Sequence, residues 1–498
     1  MNATAPANPA DSDPQPRVPL DIQLAIVEAC PDVRTSLMLI STHKTLRKWG
    51  ARLALQSPST QVRLYSSAAA RSFFVFCAAQ GLPSEPSSPL AVLHTLEITL
   101  ATVNPVGMGY LIILLGNVPR LTSLTLYDPE EALCRHPSLY GALRRLRTLK
   151  VFRVYEAKAM AFKLVSEIAS ALEAVSIEPN SQTVFDTFLN LGVLLGRHKD
   201  TLTRFKTLAM NLRSRTQAIH AESVQLVVFE KVQELVLPLC FFPGASHYIK
   251  AFPNATSLDL GTHLTKHFRK RIEAMDHFRS WTLSAVMGMH GDPLDPQPDC
   301  WPSLETVRGG LFDIYTFGNS CSVAALLIDG LIESEWMCVP SVVERHYPVI
   351  LRLSVTPSLC VELWEKEWRK MCSVKHLVLQ FVVDDQVDLG DLTDRAIHAV
   401  GSFVHCKHVF LDFKATNPAA RSRLLGLDHL SLRYIIEDCQ LGPYEIAIRS
   451  PAKTTYWSHH PDSGEMEKSL WDGWDMPAKT NFQTLNGFPK NYVTDDWV

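Results

Sequence analysis

The stretch LTSLTL at residues 121–126 places apolar side chains at Leu121, Leu124 and Leu126. Alternation over its last three residues gives a short strand with one buried face, because successive strand side chains point to opposite sides. The same spacing returns along the chain. Leu93-x-x-Leu96-x-Ile98 precedes it, and Leu146-x-x-Leu149-x-Val151, Leu172-x-x-Val175-x-Ile177 and Phe205-x-x-Leu208-x-Met210 follow. Val232-x-x-Leu235-x-Leu237 and Ala255-x-x-Leu258-x-Leu260 complete a run of seven. Their middle positions, 96, 124, 149, 175, 208, 235 and 258, are separated by 28, 25, 26, 33, 27 and 23 residues. Later copies stand at Val374-x-x-Leu377-x-Leu379, Cys406-x-x-Val409-x-Leu411 and Leu427-x-x-Leu430-x-Leu432. Between 262 and 373 only Leu304-x-x-Val307 and Leu351-x-Leu353-x-Val355 suggest the pattern, so an insertion or several irregular units are expected there.

This period matches the ~20–29 residues of leucine-rich repeats. Helical stripes lie between the strands: Ala161, Leu164, Val165, Ile168 and Leu172 in one, Phe185, Phe188, Leu191 and Leu195 in the next. Strand plus helix, stacked many times, buries a continuous core and makes a curved parallel sheet. The competing reading is an ordinary α/β domain with leucine-rich strands. One copy would not separate the two; seven at near-regular spacing favour the solenoid. The asparagine that often follows such strands is mostly missing, with Asn180 and Asn211 as near matches, so the repeats are degenerate.

The chain has 498 residues, and 48 basic against 51 acidic side chains leave a net charge of −3. That balance argues against a dense basic surface for nucleic acid. A hydrophobic share of 46% and a charged share of 20% are those of a globular protein. The longest apolar runs are too short to cross a bilayer, and the N-terminus lacks the apolar core of a secretory signal. A soluble cytoplasmic or nuclear protein is expected. Eleven cysteines without a CxxC pair argue against a disulfide framework and a structural zinc site. By texture the chain divides into a disordered tail (1–17), a helical segment (18–55), a helical linker (56–89), the repeats (90–450) and a Trp-rich end (451–498).

The segment VPLDIQLAIVEACPDVRTSLMLIS at 18–41 continues into a third helix carrying Leu46, Trp49 and Leu53. Pro19 and Asp21 suit a helix start, and Ile22 and Ile26 follow at helical spacing. Three helices this short bury too little to stand alone. The segment resembles the F-box of fungal F-box proteins: Val18, Pro19, Asp21, Ile22 and Ile26 stand for its opening, Leu37, Leu39 and Ile40 for its second helix, Leu46 and Trp49 for its third. An F-box before degenerate leucine-rich repeats is a recurrent arrangement. The resemblance implies a substrate receptor of a Skp–cullin–F-box ubiquitin ligase, with no catalysis and no cofactor of its own. The F-box would bind a Skp-type adaptor, and through it a cullin, by an apolar face including Pro19, Ile22, Ile26, Leu37 and Ile40. The repeats would hold a protein target on outward strand residues, Tyr127, Phe152 and Phe410 foremost because exposed aromatics supply contact area. The alternatives are a repeat scaffold unrelated to ubiquitination and an enzyme without a recognisable motif.

Catalytic signatures are absent: no GxSxG, GxxxxGK[ST], HExxH or GxGxxG occurs. His405-Cys406-x-His408 offers metal-capable ligands, but Cys406 holds a buried repeat position. The acidic run from Asp384 to Asp394 fails as an EF-hand because its twelfth position is Arg395. Arg144-Arg145-x-Arg147 and Arg269-Lys270-Arg271 read as solvated helix faces before nuclear import signals. Trp457, Trp471, Trp474 and Trp497 suggest a cap on the last repeat, or else a partner-docking peptide. In the linker, Phe73, Phe74 and Phe76 are expected to pack near Leu93 and Leu96 and fix the N-terminal helices to the repeats.

Overall fold

Among the described residues, apolar triplets that end in alternation become strands, and within each unit strands lie parallel to their sequence neighbours up to a final antiparallel hairpin. The computed structural model describes residues 18–30, 33–56, 60–79, 88–180, 191–207, 227–237, 245–260, 300–317, 321–331, 339–355, 373–386, 388, 390, 406–427, 445–451, 453–459 and 466–472. These divide into two compact units, one running to Thr207 and one from Val228. The fold is α/β.

The first unit opens with three helices, α1 (Leu20–Ala29), α2 (Val33–Ser41) and α3 (Lys44–Gln56). Then come β1 (Gln61–Leu64), α4 (Ser67–Ala78), β2 (Thr95–Thr99), α5 (Pro105–Leu115) and β3 (Ser123–Tyr127). Two short helices, α6 (Glu130–Arg135) and α7 (Pro137–Arg144), lead to β4 (Val151–Ala157) and α8 (Ala159–Glu167). The unit closes with β5 (Ala174–Pro179), α9 (Leu191–Leu195) and β6 (Arg204–Thr207). Strands β1 to β6 pair in chain order, all parallel.

The second unit contains β7 (Glu234–Val236), α10 (Ala245–Ala251), β8 (Ser257–Asp259), β9 (Ser303–Gly309), β10 (Ser322–Leu331) and β11 (Ile350–Val355). It continues through β12 (His376–Val383), β13 (His408–Ala415) and β14 (Glu445–Arg449). These pair parallel in chain order. Helices Leu311–Phe317, Val339–His346 and Pro418–Leu424 connect them. β15 (Lys453–His459) and β16 (Met466–Asp472) then add antiparallel. Trp457 and Trp471 thus stand on this hairpin, while Trp474 and Trp497 lie outside the described residues. Residues 1–17, Asn211 and the copy from Leu430 onward lie outside them as well.

Register corrects two of the sequence-read copies. Leu124 and Leu126 pair with Phe152 and Val154, so the third copy is Leu149-x-x-Phe152-x-Val154. Likewise Val175 pairs with Phe205, which makes that copy Leu202-x-x-Phe205-x-Thr207. Both were read three residues away from their true place, and an odd slip exchanges the faces of a strand. Phe152, expected to face outward, is therefore core, with 0% of its surface exposed. The region between 262 and 373 holds three strands in register, with Val323-x-x-Leu326-x-Ile328 in β10 aligned on Leu304-x-x-Val307-x-Gly309.

The segment 56–89 is more than a helical linker. It contributes β1, whose Val62 and Leu64 align with Leu96 and Ile98. Ser66 caps α4 by accepting from Ala69 N–H. Two of the three phenylalanines of α4 dock on neighbouring elements. Phe76 packs on the core of α1–α3, formed by Val27, Ile40, Leu46, Ala51 and Ala54. Phe74 meets the ring of Tyr110 on α5 at 5.2 Å. Asn104 N–H donates to Ser67 Oγ at 2.7 Å. A Cβ on Gly107 would lie 2.7 Å from Val103 Cγ1 and 3.0 Å from Ser67 Cβ, so glycine permits this close approach of α4 and α5.

Side chains also reach back to carbonyls of the preceding unit. Thr148 Oγ1 donates to Leu121 O, Ser170 Oγ to Leu146 O and Thr201 Oγ1 to Leu172 O, at 2.9, 2.7 and 2.8 Å. Trp301 Nε1 donates to Phe252 O at 2.8 Å, and His346 Nδ1 meets Cys321 O at 3.1 Å. Among the described residues, no helix is long and apolar enough to cross a membrane.

Two stability predictions follow from register and burial. Phe152→Ala should lower unfolding free energy by about 3–5 kcal/mol in denaturant titration, whereas Tyr127→Ala, on the open face, should cost less. Burial holds the His346 imidazole at about 4, against the pull of the Cys321 carbonyl. An unfolded histidine ionises near 6.5, so the unfolded chain takes the proton first. The neutral-pH stability is present above that value and is lost as pH falls towards about 4. His346→Leu should show a smaller drop in melting temperature between neutral and mildly acidic buffer than the parent chain.

Candidate functional site

Two surfaces of the first unit present groups suited to recognition. The first lies on α1. Helix spacing sets Val18, Ile22 and Ile26 on one side, and Ile22 and Ile26 are 49% and 50% exposed. Pro19 sits at the helix start, itself exposed, and its carbonyl accepts from Gln23 N–H. Met38 of α2 and Trp49 of α3 are exposed on the same segment. Ile40 is different. It was expected on the adaptor face, but it is 1% exposed and belongs to the three-helix core. Gly50 of α3 closes against Ile40 with no room for a Cβ, and this contact turns the isoleucine inward. The side chain of Leu37 lies outside the described residues.

The second surface is the outward face of β1–β6. Arg63, Glu97, Thr125, Arg153, Ser176 and Lys206 form one cross-strand row. Glu97 is only 5% exposed, yet it is well satisfied. Its carboxylate accepts from Gln61 Nε2 at 2.5 Å and Tyr65 OH at 3.3 Å, and pairs with Arg63 Nε at 3.3 Å. One step along the strands, the rings of Tyr127 and Tyr155 stack at 4.7 Å and 9°. Burial raises the Tyr127 phenol well above its ordinary range, and the Glu97 charge and hydrogen bond add to it. Burial raises Tyr155 too, with Arg153 opposing and Glu178 and Glu97 reinforcing the shift. Tyr65 is raised by burial and by Glu97, against Arg63. These phenols stay protonated at neutral pH, and Tyr65 and Tyr127 hydrogen-bond Glu97. Tyr127 was legible in the sequence as an outward aromatic. Its partner Tyr155 was hidden by the slipped register of β4.

The second unit treats the same side of its strands differently. Phe410, expected to face a target, is 2% exposed. Its cross-strand row includes Arg352, Val378 and Ala447, all buried. Beside it runs an ionic ladder with a member on every strand from β9 to β14. Arg308 pairs with Asp329 at 2.6 Å, and Arg352 lies 3.8 Å from the same carboxylate. Arg352 donates to Gln380 at 3.2 Å, Gln380 to Asp412 at 2.9 Å, and Arg449 Nε to Asp412 at 2.7 Å. The Arg449 guanidinium stands 5.2 Å over the Phe410 ring. Buried charges joined in this way fix alignment, since loss of one partner strands the other in a dry interior.

The rings of His376 and His408 stack at 4.6 Å. Burial pushes the Cys406 thiol up to about 12, and its Sγ meets Val374 O at 3.5 Å. Among the described residues no group of three His, Cys, Asp or Glu is placed to hold a metal ion. His405 lies outside them.

Removing the Glu97 charge should bring the Tyr127 phenol down. In an ultraviolet pH titration of folded protein, Glu97→Gln should show part of the tyrosine signal ionising at lower pH. A further Tyr127→Phe change should delete that component; an unaltered curve would disprove the coupling.

No protein-family model matches the chain, and no curated protein is significantly similar to it.

Proposed function

We propose that this chain is the target-recognition subunit of a Skp–cullin–F-box type ubiquitin ligase. It binds a Skp-type adaptor, and through it a cullin, by the α1 face, and a protein target by the outward face of β1–β6. It works in the cytoplasm or nucleus and leaves catalysis to its partners. The observation that carries the reading is the pair Ile22 and Ile26, both about half exposed, one turn apart on a helix whose other side is core. Fully burying an isoleucine is worth about 1.5–3 kcal/mol, so completing the burial of this pair supplies a substantial part of a partner contact. The alternating strand–helix scaffold supports the other half of the reading. It offers a sheet face with Tyr127 and Tyr155 on it, and α4 ties that sheet to the N-terminal helices. Of the residues first assigned to the adaptor face, Pro19, Ile22 and Ile26 are retained and Ile40 becomes support beneath them.

Co-purification tests this directly. Ile22→Asp with Ile26→Asp places two unpaired charges in the contact and should abolish recovery of a Skp-type adaptor while the melting curve is preserved, because neither side chain is core. Adaptor recovery undiminished by the double change would sink the assignment. Failure of the parent chain to recover any adaptor leaves the scaffold reading in its place.

A further inference from the structure

Two cations on the outward face of the first unit stand in no ion pair among the described residues. Glu97 is buried and held by Gln61, Tyr65 and Arg63. Glu178 is buried and engaged as well. Arg153 on β4 and Lys206 on β6 are half-buried, and among the described residues neither has a carboxylate within ion-pair distance. Arg153 Nη1 reaches Ser123 Oγ, and only at 3.5 Å. The two cations share one cross-strand row with Ser176 between them. Strands lie ~4.8 Å apart, so their backbone positions are separated by roughly 10 Å. Tyr155 follows Arg153 by two residues on the same face and stacks on Tyr127.

We infer that this face binds an extended acidic peptide of the target, one carboxylate on Arg153 and a second on Lys206, beside the Tyr127–Tyr155 stack. The inference rests on the target-recognition reading above and names its substrate class. Half-buried cations without a counter-charge gain more from an arriving anion than solvated ones do. A single small anion would have to draw both side chains in from ~10 Å apart, whereas two carboxylates need not. A polyproline-II segment advances ~3.1 Å per residue and returns to the same side every third, so Glu-x-x-Glu spans about 9 Å on one side. In a β-strand the same spacing would point the second carboxylate away.

The test uses the full chain and an array of synthetic peptides with two glutamates separated by one, two, three or four residues, each beside its glutamine counterpart. Retention should favour glutamate over glutamine and peak at two intervening residues. Arg153→Gln with Lys206→Gln should weaken the best peptide about tenfold or more with an unchanged melting curve. Lys206→Gln alone supplies the reading if the double variant melts early. Equal retention of glutamate and glutamine peptides, equal retention at every spacing, or retention indifferent to these substitutions overturns the inference. Stronger binding of a single-phosphoserine peptide than of any two-glutamate peptide also overturns it, in favour of a phosphate site. The array contains no adaptor, so its failure and failure of the adaptor contact are read separately.

Discussion

The structure depends on hydrogen bonds that leave one repeat and land on the backbone of the one before. A parallel strand stacked on its neighbour satisfies the strand groups, but the turns between strand and helix carry carbonyls with no partner in their own unit. At the turns that lead from helix into strand, threonine, serine, histidine and tryptophan supply the donors: Thr148 to Leu121, Ser170 to Leu146, Thr201 to Leu172, His346 to Cys321 and Trp301 to Phe252. Asn254 adds one more, to the Glu230 carbonyl. Each such bond contributes only about 1 kcal/mol net, but a buried carbonyl left unmet costs more. The constraint is therefore on having some donor at the site, not on which residue supplies it. That is why the repeats are structurally regular and irregular in sequence.

The same economy explains what could be read in advance. The apolar triplet is visible where only one placement satisfies it, as at Leu93–Ile98, Leu121–Leu126 and Leu172–Ile177. It misleads where an apolar residue also stands three positions on. Leu146, Leu149 and Phe152 satisfy the pattern in two overlapping ways, and at Leu202, Phe205 and Leu208 the true placement ends in Thr207, which leaves the apolar match three residues on. Only pairing with the neighbouring strand decides, and an odd slip turns core into surface. β1 escaped notice because its alternation amounts to Val62 and Leu64 alone, and β10 because AALLI at 324–328 is apolar on both faces. A strand buried on both sides reads as a continuous run, and its facing cannot be told from composition.

The outward faces of the two units show why an exposed aromatic cannot be assumed from strand parity. Tyr127 and Phe410 both occupy outward positions. Around Tyr127 the neighbours are phenols, hydroxyls and a carboxylate, and the ring remains partly open. Around Phe410 they are buried, and the three arginines beside it are bridged through Asp329, Gln380 and Asp412. Arginine suits such a ladder because its fork bonds two neighbours at once while its plane stacks on a ring. The candidate site was thus half legible. Tyr127 followed from parity, whereas the buried role of Glu97 and the placing of Arg153 and Lys206 in one row depend on cross-strand register that no single strand encodes.

What joins the α1 face and the outward sheet face of the first unit is helix α4. It packs Phe76 against the α1–α3 core and Phe74 onto Tyr110, so two sides of one helical turn are fixed to different partners. Twelve residues of helix are stiff over this length, and Ser66, Ser67 and Gly107 fix its N-terminal end. A mobile tether would let the α1 face and the sheet face reorient freely, and a target bound on one would have no fixed position relative to a partner on the other. With α4 held at both ends, the separation of the two surfaces is a property of the fold.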